Sequence, residues 1–303
     1  MAELHRFVAG VPGASARPAN LARRALYEDC AAVQPMGALI AKRILVTGAA
    51  GAVGHSAVRA LRERGHFVRG FDRVPARQAG EHRVGDLLDV GALAAAADGI
   101  EVVLHLAGVA DRQDFERELV PHNIVGTHNV LEAARLAGAQ RVVYASSIRV
   151  VGSLDWERGR IGLDAGLVPG DHYGVSKATG ELLARMYADR FGLRVVCARL
   201  GWFVRNPDEA RLFETLGVAK RIYLSHRDSE RFFLRSVEAP LAGYGAVFVT
   251  SENGGDSAFD LAPARDLLDY VPEDTWPSGS SWSDETPFAS PAFGASLLPE
   301  PPR

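Results

Sequence analysis

The chain has 303 residues, 47% of them hydrophobic and 23% charged, with a formal net charge of -3. That suffices for one large or two modest domains, and the near balance of charge offers no basic patch of the kind that nucleic acid requires. No apolar run approaches the roughly 20 residues that span a bilayer, and two cysteines, Cys30 and Cys197, give neither metal-ligand spacing nor a disulfide framework, so no metal and a cytoplasmic location are expected.

Residues 1–41 precede the first strand pattern, carry Pro12, Pro18 and Pro35, and lack the apolar core of a signal peptide. They read as an N-terminal extension, either disordered or the product of an upstream start, with Met36 a natural alternative start. Arg43 to Thr47 is a short branched apolar run, as a buried parallel strand should be. It leads into Gly48, Gly51 and Gly54, followed by a helix-like stretch over 52–64. Glycines so spaced between a strand and a helix allow a tight turn whose backbone can approach a pyrophosphate, with the helix N-terminus facing the phosphates. A second strand over 66–71 ends in Asp72, where a carboxylate accepts hydrogen bonds from the ribose hydroxyls of an adenine dinucleotide and repels a further phosphate.

Beyond it, strand-like runs recur at 82–84, 101–106, 140–146, 193–199 and 246–250, and helix-like runs at 89–97, 114–137, 171–191, 227–238 and 263–270. Such alternation predicts an α/β fold, a Rossmann-type doubly wound parallel sheet with ligands at the carboxyl ends of its strands. Cys197 falls within an apolar strand and reads as a small buried hydrophobe. Ser225 with Asp228 is a capping box opening the helix at 227. Residues 273–303, rich in Pro, Ser and Gly, read as a flexible tail.

Positive charge is written almost entirely as Arg: Lys42, Lys177 and Lys220 are the only lysines. Lys177 stands four residues after Tyr173 on a predicted helix, so the ammonium and the phenol share a face. A compact ammonium near a phenol favours phenolate and makes the tyrosine a usable acid and base near neutral pH.

Together, Thr47-Gly48-x-x-Gly51-x-x-Gly54, an upstream serine and Tyr173-x-x-x-Lys177 resemble the extended short-chain dehydrogenase/reductase superfamily, over about residues 42 to 272. The resemblance implies an NAD cofactor held by Gly48, Ala50, Gly51, Val53, Gly54 and Asp72. It further implies that Asp86 and Leu87 face the adenine, that Leu106, Ala107 and Gly108 lie beside the cofactor, and that Asn123 sits behind the nicotinamide. Ser147, Tyr173 and Lys177 would be catalytic, with Tyr173 and Lys177 also in contact with the cofactor and Lys177 holding the nicotinamide ribose hydroxyls, and Ser146, on the opposite side of its strand, is discounted. The implied division is a nucleotide-binding domain at 42–200 and a small substrate-binding part at 201–272, in a homodimer without membrane or nucleic-acid partners.

Ile148 and Arg149 stand where the family's dehydratases need an acidic pair, which argues against elimination of water. The short region after Leu200 suits a small free sugar acid, polyol or alcohol better than a nucleotide sugar. The stretches from Tyr173 to Tyr187 and from Tyr223 to Asp228 are similar to uronate dehydrogenases, in which Arg211 would bind the substrate carboxylate. Ala110, Ile148 and Trp202 would line the substrate pocket with Ser147, but each is apolar where those enzymes carry a polar group. The alternatives are a sugar epimerase that retains NAD and a non-catalytic dinucleotide-binding protein.

Overall fold

The computed structural model describes residues 40–110 and 113–280. The extension read at 1–41, all but its last two residues, and the tail beyond 280 lie outside the described residues, as do Cys30 and Met36.

Strands β1 (Arg43–Thr47), β2 (Phe67–Asp72), β3 (Glu81–Val84), β4 (Val102–His105), β5 (Arg141–Ser147), β6 (Arg194–Leu200) and β9 (Tyr244–Val249) form one sheet in the order β3-β2-β1-β4-β5-β6-β9. Every pairing in it is parallel. The two-residue strands β7 (Trp202–Phe203) and β8 (Tyr223–Leu224) pair separately.

Both faces of the central strands are apolar because both are covered. On β6, Val196 and Ala198 join one core with α1 (Ala52–Glu63), α7 (His226–Glu238) and α8 (Ala262–Leu268). Val195 and Cys197 join the other core, with α2 (Val90–Ala97), α3 (Gly126–Leu136) and α4 (His172–Phe191). Cys197 is fully buried, and burial pushes its thiol pKa well up.

Three features depart from the sequence reading. The helix expected over 114–137 is a π-helix, Phe115–Val125, running into α3. Pro121 sits inside the π segment, and the Gly126 amide reaches back five residues to the Pro121 carbonyl. A bulge of this kind re-aims the side chains beside it, here those around Asn123.

Residues 201–272 are not set apart: β9 extends the sheet, and α7 is tied to its amino edge. Lys42 Nζ donates to the Val237 carbonyl at 2.6 Å. The buried Arg141 guanidinium donates to the carbonyls of Ser236, Val237 and Ala239 at 2.6, 2.8 and 2.7 Å. Cations there satisfy the carbonyls that a helix end leaves orphaned.

The folded chain also runs past the boundary expected at 273. Ser225 Oγ accepts from the Asp228 amide at 2.9 Å, as a cap should. The buried Asp228 carboxylate accepts instead from the Glu273 and Asp274 amides, at 2.9 and 3.0 Å. Asp274 is itself buried and accepts from Ser225 Oγ at 2.6 Å. Trp276 packs against Phe213 and Tyr223. No short-range pattern marks this docking, because its partners lie about 45 residues apart in sequence.

Candidate active site

A cleft of about 340 Å³ opens at the carboxyl ends of β1, β2 and β4, where the strand order reverses. Its walls include Gly48, Ala50, Gly51, Asp72, Asp86, Leu87, Leu106, Ala107 and Gly108, all singled out from sequence. The structure adds Phe71, Arg73, Val74, Gly85, Val109 and His122.

Gly48 has φ +71°, and a Cβ there would stand 2.5 Å from the Ala107 amide nitrogen. A Cβ on Gly54 would come within 2.0 Å of the Gly48 carbonyl oxygen. Only glycine therefore lets the loop, α1 and the end of β4 approach this closely. No side chain caps the N-terminus of α1, and no acidic residue occupies its first turn. Its free N–H groups and positive dipole end suit an anion. The residues present thus fit a pyrophosphate: a tight backbone cradle at an uncapped helix start.

Asp72 braces the cradle, with Oδ2 accepting from the Ala50 amide at 3.1 Å and Oδ1 from the Val74 amide at 3.4 Å. Val53 and Gly54 support the loop from within α1 rather than lining the cleft.

Polar groups of the π-helix and of α4 stand behind Gly108. A Cβ on Gly108 would lie 3.0 Å from Asn123 Oδ1 and 3.3 Å from Lys177 Nζ. Lys177 is buried, donates to the Ala145 carbonyl at 2.9 Å, and holds its ammonium 5.8 Å from the Tyr173 ring centroid. Burial lowers its pKa to about 8. Asp171 caps α4 by accepting from the Gly174 amide at 2.7 Å and pairs with Arg149. Ser147 ends β5, and its Oγ accepts from the Arg149 amide at 3.2 Å, turning the chain into a short 3₁₀ helix, Ile148–Val151. The neighbouring Ser146 donates to the buried Glu181 at 2.6 Å.

Of the residues expected to bind substrate, none lines the described cleft, and Ile148 and Trp202 share a core. Ala110 is exposed. Ile148 and Trp202 are buried in a third core with Phe213, Tyr223 and Phe248. The Trp202 indole donates to Glu209 Oε1 at 3.0 Å. Their apolar character is thus accounted for by packing. Arg211 lies on α5 (Pro207–Glu214) with its side chain 74% exposed and paired to Asp208, away from the cleft walls.

Two buried histidines stay neutral. Burial lowers the His105 pKa to about 3, with the Lys177 charge adding to it. Burial, with Arg59, lowers that of His226 to about 4. Both lie below the unfolded value of 6.5, so the unfolded chain binds more protons between the two pKa values. Their stabilising contribution is complete above pH 6.5 and is lost as pH falls toward 4 and then 3. Urea unfolding at pH 5 should therefore show a loss against pH 7 on the order of 1–2 kcal/mol per histidine. Equal stability at the two pH values would contradict the neutral assignment.

Residues 44–204 match the family described as NAD dependent epimerase/dehydratase. A uronate dehydrogenase of Pseudomonas syringae pv. tomato is 33% identical over 77% of this chain and 82% of that protein. An L-arabinose 1-dehydrogenase (NAD(P)(+)) of Haloferax volcanii is 34% identical over 77% of this chain and 96% of that protein. The crystal structure of a uronate dehydrogenase variant from Agrobacterium tumefaciens, complexed with NAD, superposes with a TM-score of 0.67 at 32% identity, covering 78% of this chain and 86% of that one.

Proposed function

The chain belongs to the NAD-dependent epimerase/dehydratase family, and we propose that it oxidises a hydroxyl of a small sugar acid through Ser147, Tyr173 and Lys177. It is an NAD-dependent dehydrogenase, in which the nicotinamide supplies the hydride acceptor. The chain's own residues place the substrate and move the proton. Tyr173, as phenolate, takes the hydroxyl proton. Lys177, charged and buried beside the ring, favours that phenolate and stands under Gly108 where the cleft ends. Ser147 holds the same substrate oxygen. The observation that carries this reading is the junction at Gly108, where the wall of the dinucleotide cleft meets Lys177 and, through it, Tyr173.

The test is a panel of D-glucuronate, D-galacturonate, L-arabinose and apolar secondary alcohols, followed by nicotinamide absorbance. Turnover of a uronate supports the reading, and turnover of apolar alcohols alone overturns it. The outward Arg211 and the packed Ile148 and Trp202 favour a second reading, a neutral aldose. Arg211→Ala separates the two: oxidation of a uronate should drop only if that guanidinium meets its carboxylate.

NAD should be preferred over NADP, because a phosphate on the adenosine ribose would meet the Asp72 carboxylate, already fixed by two backbone amides. Arg73 lines the same cleft and softens the repulsion. A higher kcat/KM with NADP would reject this assignment.

The protein also pairs with a second copy in this reading. Val175, Leu182 and Met186 repeat along one face of α4 and are exposed, and Leu136 is exposed on α3. Sedimentation should give twice the chain mass, and Leu182→Glu should return it to one.

No helix among the described residues is long and apolar enough to cross a membrane.

A further inference from the structure

Beneath the cleft, three sheet strands place a polar row in the core. Thr47 on β1 stands in register with His105 on β4, and His105 with Tyr144 on β5. Thr47, His105 and Thr127 are each at most 1% exposed. Thr47 Oγ1 meets His105 Nδ1 at 2.8 Å, and His105 Nε2 meets Thr127 Oγ1 at 3.1 Å. Thr127 Oγ1 donates to the Asn123 carbonyl at 2.6 Å.

The direction of the bonds to His105 follows from proton counting. A threonine hydroxyl has one proton, and Thr127 spends it on the Asn123 carbonyl, so toward His105 it can only accept. Nε2 therefore carries the imidazole proton. A neutral ring then offers Nδ1 as an acceptor, and Thr47 donates to it. The Thr47 oxygen remains free to accept from the Ala107 amide, which it does at 3.3 Å.

The row joins two parts of the site at its ends. One end is the Ala107 amide, in the segment that walls the cleft. At the other end, Asn123 Oδ1 accepts from the Val109 amide at 2.7 Å, and its Nδ2 donates to Ser176 Oγ at 3.0 Å. Ser176 Oγ in turn donates to the Tyr173 carbonyl at 2.7 Å.

We propose that His105, held by Thr47 and Thr127, is a positioning residue that fixes segment 106–109 of the cleft wall relative to Tyr173. The proposal rests on the assignment of Tyr173 above. Imidazole suits the place because a neutral ring accepts on one side and donates on the other without moving a charge into the core. Displacements of about 1 Å at a reacting centre can cost 10²-fold in rate, so a fixed spacing here matters to turnover.

The substitution Thr127→Val keeps the side chain's shape but removes the acceptor for Nε2, the link to Asn123 and the hydroxyl's hydrogen bond with Tyr144, whereas Thr127→Ser keeps all three. In the cofactor-free protein, hydrogen exchange at the Ala107 and Val109 amides should speed roughly tenfold or more in Thr127→Val and stay near wild type in Thr127→Ser. With NAD and whichever of D-glucuronate or L-arabinose turns over, kcat should fall roughly 10- to 100-fold in Thr127→Val, while the KM for NAD moves less than about threefold. Imidazole ¹⁵N spectra should show a protonated Nε2 that does not titrate between pH 5 and 8. Wild-type exchange in Thr127→Val, faster exchange with unchanged kcat, or equal failure of Thr127→Ser would each overturn the proposal. Tyr173→Phe, assayed alongside, separates the two levels. Its turnover would overturn the site assignment and this proposal together, whereas an inactive Tyr173→Phe with a normal Thr127→Val overturns the positioning role alone.

Discussion

Replacing Tyr173 by Phe should remove turnover, by about 10² to 10⁴-fold in kcat, while NAD affinity stays within a few fold. The substitution deletes one oxygen and leaves the glycine cradle, Asp72 and the α1 N-terminus as they are. The ring stays on the same helix face as Lys177, whose Nζ remains anchored on the Ala145 carbonyl at 2.9 Å. What is lost is the group that takes the substrate proton as the C–H bond gives up hydride. Steady-state kinetics give the rate, and titration of NAD by protein fluorescence gives the affinity. Activity within tenfold of wild type would remove Tyr173 from the mechanism. A large drop in NAD affinity would instead place the phenol among the cofactor contacts.

The second large effect is on stability. Replacing Glu181 by Ala should cost about 3–5 kcal/mol, because it strips the partner from a buried cation. Glu181 lies one turn beyond Lys177 on α4, and both it and Arg199 on β6 are buried. Its two oxygens accept from Arg199 Nε at 3.0 Å and Nη2 at 2.9 Å. Oε1 also accepts from Ser146 Oγ at 2.6 Å, so the serine beside Ser147 hangs on the same carboxylate. Arg199 Nη1 has no hydrogen-bond partner among the described residues. A guanidinium left with no carboxylate there has nowhere to gain solvation. Replacing both residues by apolar ones, as in Glu181→Leu with Arg199→Met, should recover most of the loss. Urea denaturation of the two variants beside the unmodified protein measures this, and a loss under about 1 kcal/mol in the single variant would show that water reaches the site.

The fold and the glycine cradle of the cleft were legible in the sequence alone, because both are written in short-range patterns. Strand and helix periods follow from which faces are covered. The cradle follows from Gly48, Gly51 and Gly54 standing between a strand and a helix, and the Tyr173–Lys177 pair follows from helical spacing. Each is a rule about neighbours a few residues apart.

The tertiary structure decided everything that depends on partners distant in the chain. Ile148, Trp202 and Arg211 looked alike as pocket candidates, yet packing buried the first two in one core with Phe213 and Tyr223 and turned the third outward to Asp208. Asp228 looked like half of a capping box, and the fold spent its carboxylate on residues 273 and 274. His105 was one letter in a strand end until Thr47, 58 residues earlier, and Thr127, 22 later, fixed its tautomer. The reason is physical: a buried polar group must find its hydrogen bonds wherever the fold supplies them, and that supply is set by the packing of whole elements rather than by local sequence.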